Sequence, residues 1–219
     1  MTPSKKEFIE FMMSAGVLTF GNFTTKSGRR TPYFVNTGNY RTGAQIARLG
    51  SFYAALIEET TRGDFEALFG PAYKGIPIAV SAAGALYRDF GRDKPYFFNR
   101  KEEKDHGEGG SVVGYRPKDG DRVIITEDVI TAGTAVRETM PVLRQCAEVS
   151  VPHMFISVDR CEVGSEPGRT AVMQVQEEFG IAVHAIIRVT DILEYLESSG
   201  AYTQITAAMK QYMQDYCLL

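Results

Sequence analysis

Five short apolar runs recur along the chain, and helical patterns separate several of them. The runs, which are predicted as strands, are Ala67–Phe69, Tyr96–Phe98, Val123–Thr126, Met154–Val158 and Val183–Val189. The segments predicted as helices between them are Ile76–Phe90, Ala135–Cys146 and Ala171–Phe179. Apolar runs without polar alternation are typical of strands buried on both faces, and helices connect parallel strands. The sequence therefore predicts an α/β fold with an open, mostly parallel sheet flanked by helices.

The N-terminal region has a different pattern. Thr2–Ala15 is predicted as a capped amphipathic helix, residues 17–36 as extended and rich in turns, and Thr42–Thr61 as a second amphipathic helix. We expect residues 1–219 to form a single domain, in which residues 1–40 contribute a small lobe over the functional site.

Composition excludes several classes of protein. A net charge of −3 gives no basic surface for a polyanion, so nucleic acid is not an expected partner. Three cysteines without CxxC spacing predict neither a disulfide framework nor a zinc site, and indicate reduced thiols in the cytoplasm. No run approaches the roughly 18 apolar residues of a membrane span, and the N-terminal apolar stretch, which Glu10 interrupts, is predicted as a helix face and not a signal peptide.

The most informative segment is VIITEDVITAGTA, residues 123–135. A strand leads into two carboxylates, Glu127 and Asp128, and then into the small, hydroxyl-rich run Thr131–Ala135 before a helix. Backbone N–H groups of such a loop, together with a helix N-terminus, form a site for a small anion such as a monophosphate. The two carboxylates would then lie about a sugar's width away and could accept hydrogen bonds from ribose hydroxyls. We expect Pro141 to kink or shorten the helix that follows.

Three further segments surround the same predicted sheet edge. GPAYKGIP (70–77) displays Tyr73 and Lys74 after a strand, and FFNRKEEKDHGEGG (97–110) combines cations with glycines, as a mobile lid over a ligand would. KSGRRTPYFVN (26–36) is a turn followed by aromatic residues. Arg160 comes directly after a predicted strand, where its planar fork could bind a carboxylate in bidentate fashion.

The 123–135 segment resembles the phosphoribosyl diphosphate (PRPP) motif of type I phosphoribosyltransferases. Over residues 26–160, the four segments and Arg160 resemble orotate phosphoribosyltransferases in particular. The resemblance implies transfer of ribose 5-phosphate from PRPP to N1 of orotate, which gives orotidine 5′-phosphate and diphosphate in pyrimidine biosynthesis. Many members carry a second aromatic residue where this chain has Val35.

The resemblance also implies roles for individual residues. Those expected to bind PRPP are Lys26, Tyr73, Lys74, Arg100, Lys101, Lys104, His106, Glu127, Asp128, Val129, Ile130, Thr131, Ala132, Gly133, Thr134 and Ala135. Those expected to bind orotate are Phe34, Val35, Thr131 and Arg160. Those expected to be catalytic are Arg100, Lys104, His106 and Asp128. The implied cofactor is Mg²⁺, carried mainly by the diphosphate without a direct protein ligand, and the implied assembly is a homodimer that shares the Arg100–Gly110 loop in trans.

Two other interpretations stay open at this point. A purine or uracil phosphoribosyltransferase would share the phosphate loop but not the 97–110 and 26–36 segments. A PRPP-sensing regulator that binds nucleic acid would need a basic face, which the composition does not indicate. The sequence contains no GxGxxG after a strand and no GxxxxGK[ST], so dinucleotide and P-loop nucleotide sites have no motif.

Overall fold

The N-terminal part of the structure is a helix followed by a separate two-stranded sheet. The computed structural model describes residues 1–25, 28–101, 111–130, 133–164, 166–200 and 202–219. Helix α1 spans Pro3–Ser14, and strands β1 (Leu18–Thr24) and β2 (Arg30–Val35) pair antiparallel. Helix α1 begins where the Thr2 side chain accepts a hydrogen bond from the backbone N–H of Lys5.

The main sheet has six strands. In chain order these are β3 (Ala67–Phe69), β4 (Tyr96–Asn99), β5 (Val112–Gly114), β6 (Val123–Val129), β7 (His153–Asp159) and β8 (Ala182–Arg188). Their order across the sheet is β5-β4-β3-β6-β7-β8, and every neighbouring pair is parallel except β4 and β5. The predicted open, mostly parallel sheet is confirmed.

Helices cover both faces of this sheet. They are α2 (Gly43–Thr61), α3 (Gly75–Phe90), α4 (Thr134–Cys146), α5 (Ala171–Phe179), α6 (Val189–Ser199) and α7 (Thr203–Tyr216). One core packs side chains of α1, α2, α3, α6 and α7 against one face, and a smaller core packs those of α4 and α5 against the other. No helix in the described parts of the chain is both long and apolar enough to cross a membrane.

Most predicted elements are confirmed to within a few residues, with three kinds of difference. Strand β6 runs on to Val129, so the acidic pair belongs to the strand and does not follow it. Helix α4 continues past Pro141 to Cys146, so the expected shortening was wrong. Sequence patterns did not identify β5, α6 or α7.

The strand order creates a crevice between β3 and β6. From β3 the chain moves to β4 on one side, and it later returns to place β6 on the other side. In open α/β sheets such a reversal of strand order leaves a crevice at the carboxyl ends, where ligands bind. The loops after β3 and β6 therefore meet at the place where the sequence analysis expected the site.

Two helical glycines test how closely α2 and α3 pack. A Cβ added at Gly50 of α2 would lie 2.4 Å from the carbonyl oxygen of Ser81, whereas one added at Gly84 of α3 meets no atom within 4 Å. Gly50→Ala should therefore lower the free energy of unfolding by about 1–3 kcal/mol through overpacking. Gly84→Ala should raise it by up to about 1 kcal/mol, because alanine favours the helix. Urea unfolding of both variants measures this, and equal effects would contradict the packing described.

Candidate active site

The acidic pair lies buried at the carboxyl end of β6. Glu127 and Asp128 are 7% and 6% exposed. Strand β3 ends at Phe69, which pairs with Ile125 of β6. The two acidic residues follow Ile125, so this part of β6 pairs with β7 but has no strand partner on the β3 side among the described residues. The loop after β3 occupies the space that a longer strand would fill, and this brings its side chains against the carboxylates.

Asp128 is held by donors from three segments. Its Oδ2 accepts hydrogen bonds from Lys74 Nζ at 2.8 Å and Thr37 Oγ1 at 2.7 Å, and its Oδ1 accepts one from the Val129 N–H at 2.8 Å. Thr37 was not among the predicted residues, and its only sequence signal is a hydroxyl shortly after β2. The three donors fix the carboxylate in one orientation.

Glu127 is fixed through its backbone as well as its side chain. Its Oε1 accepts a hydrogen bond from the Asp128 N–H at 2.9 Å, and its carbonyl oxygen accepts one from the Tyr53 hydroxyl at 2.7 Å. The Tyr53 hydroxyl also lies 2.8 Å from Ser157 Oγ. Tyr53 was predicted only as part of an apolar helix face, and nothing in that pattern indicates its contact with the acidic pair.

The two carboxyl groups differ in their proton affinity. Burial raises the pKa of Glu127, and the neighbouring charge of Asp128 raises it further. Burial also opposes ionisation of Asp128, but hydrogen bonds from Lys74 and Thr37 outweigh it and hold the pKa of Asp128 below its ordinary value. Two like charges this close repel one another, so the pair favours an ionised Asp128 beside a proton-retaining Glu127.

The predicted phosphate loop leads into the N-terminus of α4. Thr131 and Ala132 lie outside the described residues; Gly133 precedes the helix with φ +69°, a left-handed conformation that favours glycine. The first N–H groups of a helix have no intrahelical partner. A cavity of about 50 Å³ lies here, lined in part by Glu127, Gly133 and Thr134. The described part of the loop therefore offers amide donors and a positive helix end beside the acidic pair.

The loop after β3 presents Tyr73 and Lys74 to a second cavity, of about 220 Å³. A Cβ atom added at Gly70 would lie 2.3 Å from the carbonyl oxygen of Gly75, and one added at Gly75 would lie 2.8 Å from the carbonyl oxygen of Thr126. The turn therefore requires both glycines. The Ala72 N–H donates to Asn99 Oδ1 at 2.8 Å, a contact that the sequence did not indicate.

The described start of the predicted lid contacts Tyr73, which lines the same cavity. Arg100 and Lys101 are described, and the Lys101 ammonium lies 5.5 Å from the centre of the Tyr73 ring. Lys104 and His106 lie outside the described residues. Pairing of β4 with β5 brings the two ends together, and the Arg100 N–H donates to the Ser111 carbonyl oxygen at 2.8 Å.

The predicted base-binding residues lie at the hairpin and the end of β7. Phe34 is 45% exposed and Val35 is half-buried, while Lys26 falls outside the described residues. Arg160 follows β7 with only 17% of its side chain exposed. Its Nε donates to the Tyr33 hydroxyl at 3.2 Å, so it is not a solvated surface arginine.

Comparison with known proteins identifies the family. Residues 36–154 match the model of the phosphoribosyl transferase domain. A protein of Clostridium beijerinckii named orotate phosphoribosyltransferase is 53% identical over 219 residues, which covers 99% of this chain and 97% of that protein. The chain belongs to the orotate phosphoribosyltransferase family.

Other relatives agree with this assignment. An orotate phosphoribosyltransferase of Clostridium acetobutylicum is 53% identical over 99% of this chain and 97% of its own. The crystal structure of the Francisella tularensis orotate phosphoribosyltransferase superposes with a TM-score of 0.86 at 37% identity, and covers 97% of this chain and all of that one. The predicted family and type I fold are thus confirmed.

In this member of the orotate phosphoribosyltransferase family, the described residues do not form a metal cage. No group of three or more His, Cys, Asp or Glu residues within the described ranges is arranged to hold an ion. The carboxylates at the site are Glu127 and Asp128, and the oxygens of Asp128 already accept hydrogen bonds from protein groups.

The proton held by Glu127 predicts how stability changes with pH. The pKa of Glu127 is higher in the folded protein than in the unfolded chain. The stability that this difference contributes is fully present when the pH is below the pKa of the unfolded chain, and it is lost as the pH rises through the pKa of the folded protein. Glu127→Gln should therefore unfold much like the wild type near pH 5 but be more stable by a few kcal/mol near pH 8.5, since each unit of a raised pKa is worth about 1.4 kcal/mol. Urea unfolding at both pH values measures this, with Glu197→Gln as the control for a surface glutamate. A variant less stable at the higher pH would refute the raised pKa.

Proposed function

We propose that this protein transfers ribose 5-phosphate from PRPP to N1 of orotate and releases orotidine 5′-phosphate and diphosphate, a step of de novo pyrimidine biosynthesis. The observation that carries the proposal is the position of the buried acidic pair between a helix N-terminus and Lys74, in a chain 53% identical to an orotate phosphoribosyltransferase. The helix N-terminus and Lys74 provide the two anion positions that PRPP requires, and the acidic pair provides the position for its sugar.

The contacts support one orientation of PRPP. We assign the 5-phosphate to the loop of residues 129–135, the ribose hydroxyls to Glu127 and Asp128, and the diphosphate to Tyr73 and Lys74. A bound ribose hydroxyl would replace Lys74 or Thr37 on Asp128. Lys74 would then be released to the diphosphate, so sugar and diphosphate would bind together. The further cations assigned to PRPP are Lys26, Arg100, Lys101, Lys104 and His106.

Orotate is assigned to the hairpin side of the site. We propose that Phe34 and Val35 flank the planar base, that Thr131 contributes a polar contact, and that Arg160 binds the carboxylate. That carboxylate distinguishes orotate from uracil, and a bidentate arginine contact is the geometry that recognises it. The exposed ring of Phe34 and the contact of Arg160 with Tyr33, the preceding residue of β2, support this assignment.

The residues present fit a magnesium ion that arrives with the substrate. Mg²⁺ usually keeps several waters and binds through one or two carboxylates together with substrate phosphates. We propose that the diphosphate and water provide most of its ligands, with the negative charge of Asp128 close by. When bound, the ion neutralises the developing charge of the diphosphate.

In the proposed mechanism the protein stabilises charge and uses no covalent nucleophile. As the bond from C1 to the diphosphate oxygen breaks, the ribose gains oxocarbenium character, and ionised Asp128 offsets its positive charge. Arg100, Lys104 and His106 would neutralise the departing diphosphate, and N1 of orotate attacks C1 from the opposite face. Fixed charges in a site closed to water supply most of the rate in such reactions.

We further propose a cytoplasmic homodimer in which the Arg100–Gly110 loop acts in the partner's site. Residues 1–40 would form a lobe over the site, within one domain of residues 1–219. The contact of Lys101 with Tyr73, which lines the cavity, supports a loop that works at this site.

The substrate is tested by mixing the protein with PRPP, Mg²⁺ and orotate and following the fall in orotate absorbance. We expect orotate to be consumed, and uracil, hypoxanthine and adenine to compete poorly. Arg160→Ala should raise the KM for orotate by about tenfold or more, because a charged hydrogen-bonding partner is lost, and leave the KM for PRPP unchanged. Preference for another base would refute the assignment, whereas salt-sensitive nucleic-acid binding without turnover would favour a regulator.

The lid is tested by Lys104→Ala and His106→Ala, each of which should lower kcat about 100-fold while leaving the fold intact. Sharing in trans is tested by mixing Lys104→Ala with Asp128→Asn, two variants of low activity. If the loop acts in the partner's site, mixed dimers regain one intact site and activity returns. Without recovery after subunit exchange, the loop would act within its own subunit.

A further inference from the structure

Glu162 joins three separate parts of the chain beside the proposed base site. Its carboxylate pairs with Arg160 Nη2 at 2.7 Å, accepts a hydrogen bond from the Tyr212 hydroxyl at 2.5 Å, and accepts another from Arg29 Nη1 at 3.3 Å. The Glu162 side chain is only 16% exposed. Because this half-buried carboxylate has several partners, its position is well defined.

Arg160 is held on one edge by this carboxylate and by Tyr33. The Tyr33 hydroxyl accepts from Nε at 3.2 Å, and the guanidinium carbon lies 5.4 Å from the centre of the Tyr33 ring. These contacts engage Nε and Nη2. Among the described residues none accepts a hydrogen bond from Nη1, so the guanidinium keeps donors for a second carboxylate.

The C-terminal segment keeps this arrangement in place. The Leu218 N–H donates to the Cys161 carbonyl oxygen at 2.8 Å, and the Val163 N–H donates to that of Tyr216 at 2.9 Å. These backbone bonds tie the end of α7 to the residues on both sides of Glu162. Tyr212, one helical turn earlier in α7, is thereby placed to donate to Glu162.

We propose that Glu162 is a positioning residue that orients Arg160 for selection of the base. This inference rests on the proposed role of Arg160 in binding orotate. An arginine side chain has many rotamers, and fixing it before the ligand arrives removes an entropy cost from binding. Glu162 holds one part of the guanidinium, and the orotate carboxylate binds the remaining donors. Tyr212 and Arg29 also donate hydrogen bonds to Glu162, so the position of its carboxylate does not depend on Arg160 alone.

The test is Glu162→Gln, which keeps the size of the side chain but removes its charge. We expect the KM for orotate to rise about three- to tenfold, because the Arg160 side chain must then be ordered as orotate binds. The KM for PRPP and inhibition by uracil, which lacks the carboxylate, should stay unchanged. Tyr212→Phe should raise the KM for orotate by a smaller factor, and Glu197→Gln, which removes a surface ion pair with Lys210, should leave it unchanged.

The outcomes separate the possible explanations. An unchanged KM for orotate in both Glu162→Gln and Tyr212→Phe would overturn the inference. A parallel loss of affinity for orotate, uracil and PRPP would also overturn it, because it would indicate a general structural role. If the wild-type protein consumes no orotate, the proposed function itself fails, which is a different and recognisable result.

Discussion

The contact between Lys74 and Asp128 joins the two halves of the site across the crevice of the sheet. It exists because β3 stops after three residues while β6 continues, so the loop after β3 turns in against the acidic pair. An exposed lysine thereby reaches a buried carboxylate and keeps it ionised. The ion pair stabilises the charge of Asp128 when no ligand is bound. A ligand that takes the place of Lys74 on Asp128 could then break the pair.

The same contact explains why two adjacent acids can have different properties. Lys74 and Thr37 stabilise the charge of Asp128 and lower its pKa. Burial and the charge of Asp128 both raise the pKa of Glu127. Tyr53 then anchors the backbone of Glu127 from inside the core. The polar site is therefore supported by an aromatic residue of helix α2, and packing and chemistry cannot be altered independently there.

Much of this arrangement could be predicted from the sequence, for identifiable reasons. Apolar runs and helical periods located the strands of the parallel sheet, and small residues after β6 predicted the loop that leads into α4. Thr37, Asn99 and Glu162 were missed, because each is held by partners distant in the chain, namely Asp128 for Thr37, Ala72 for Asn99, and Arg29 and Tyr212 for Glu162. Helices α6 and α7 were missed too, although α7 helps to fix the position of Arg160 through Glu162.

The antiparallel pairing of β4 with β5 has a consequence for how this family can vary. The hydrogen bond between the Arg100 N–H and the Ser111 carbonyl oxygen closes the ends of the intervening segment within the main sheet. The entropic cost of closing a loop rises slowly with its length, by about 0.6 kcal/mol for each doubling. Changes in the length of the segment between these two residues therefore cost the fold little, so what constrains this stretch is the proposed chemistry of Lys104 and His106 and not the stability of the sheet.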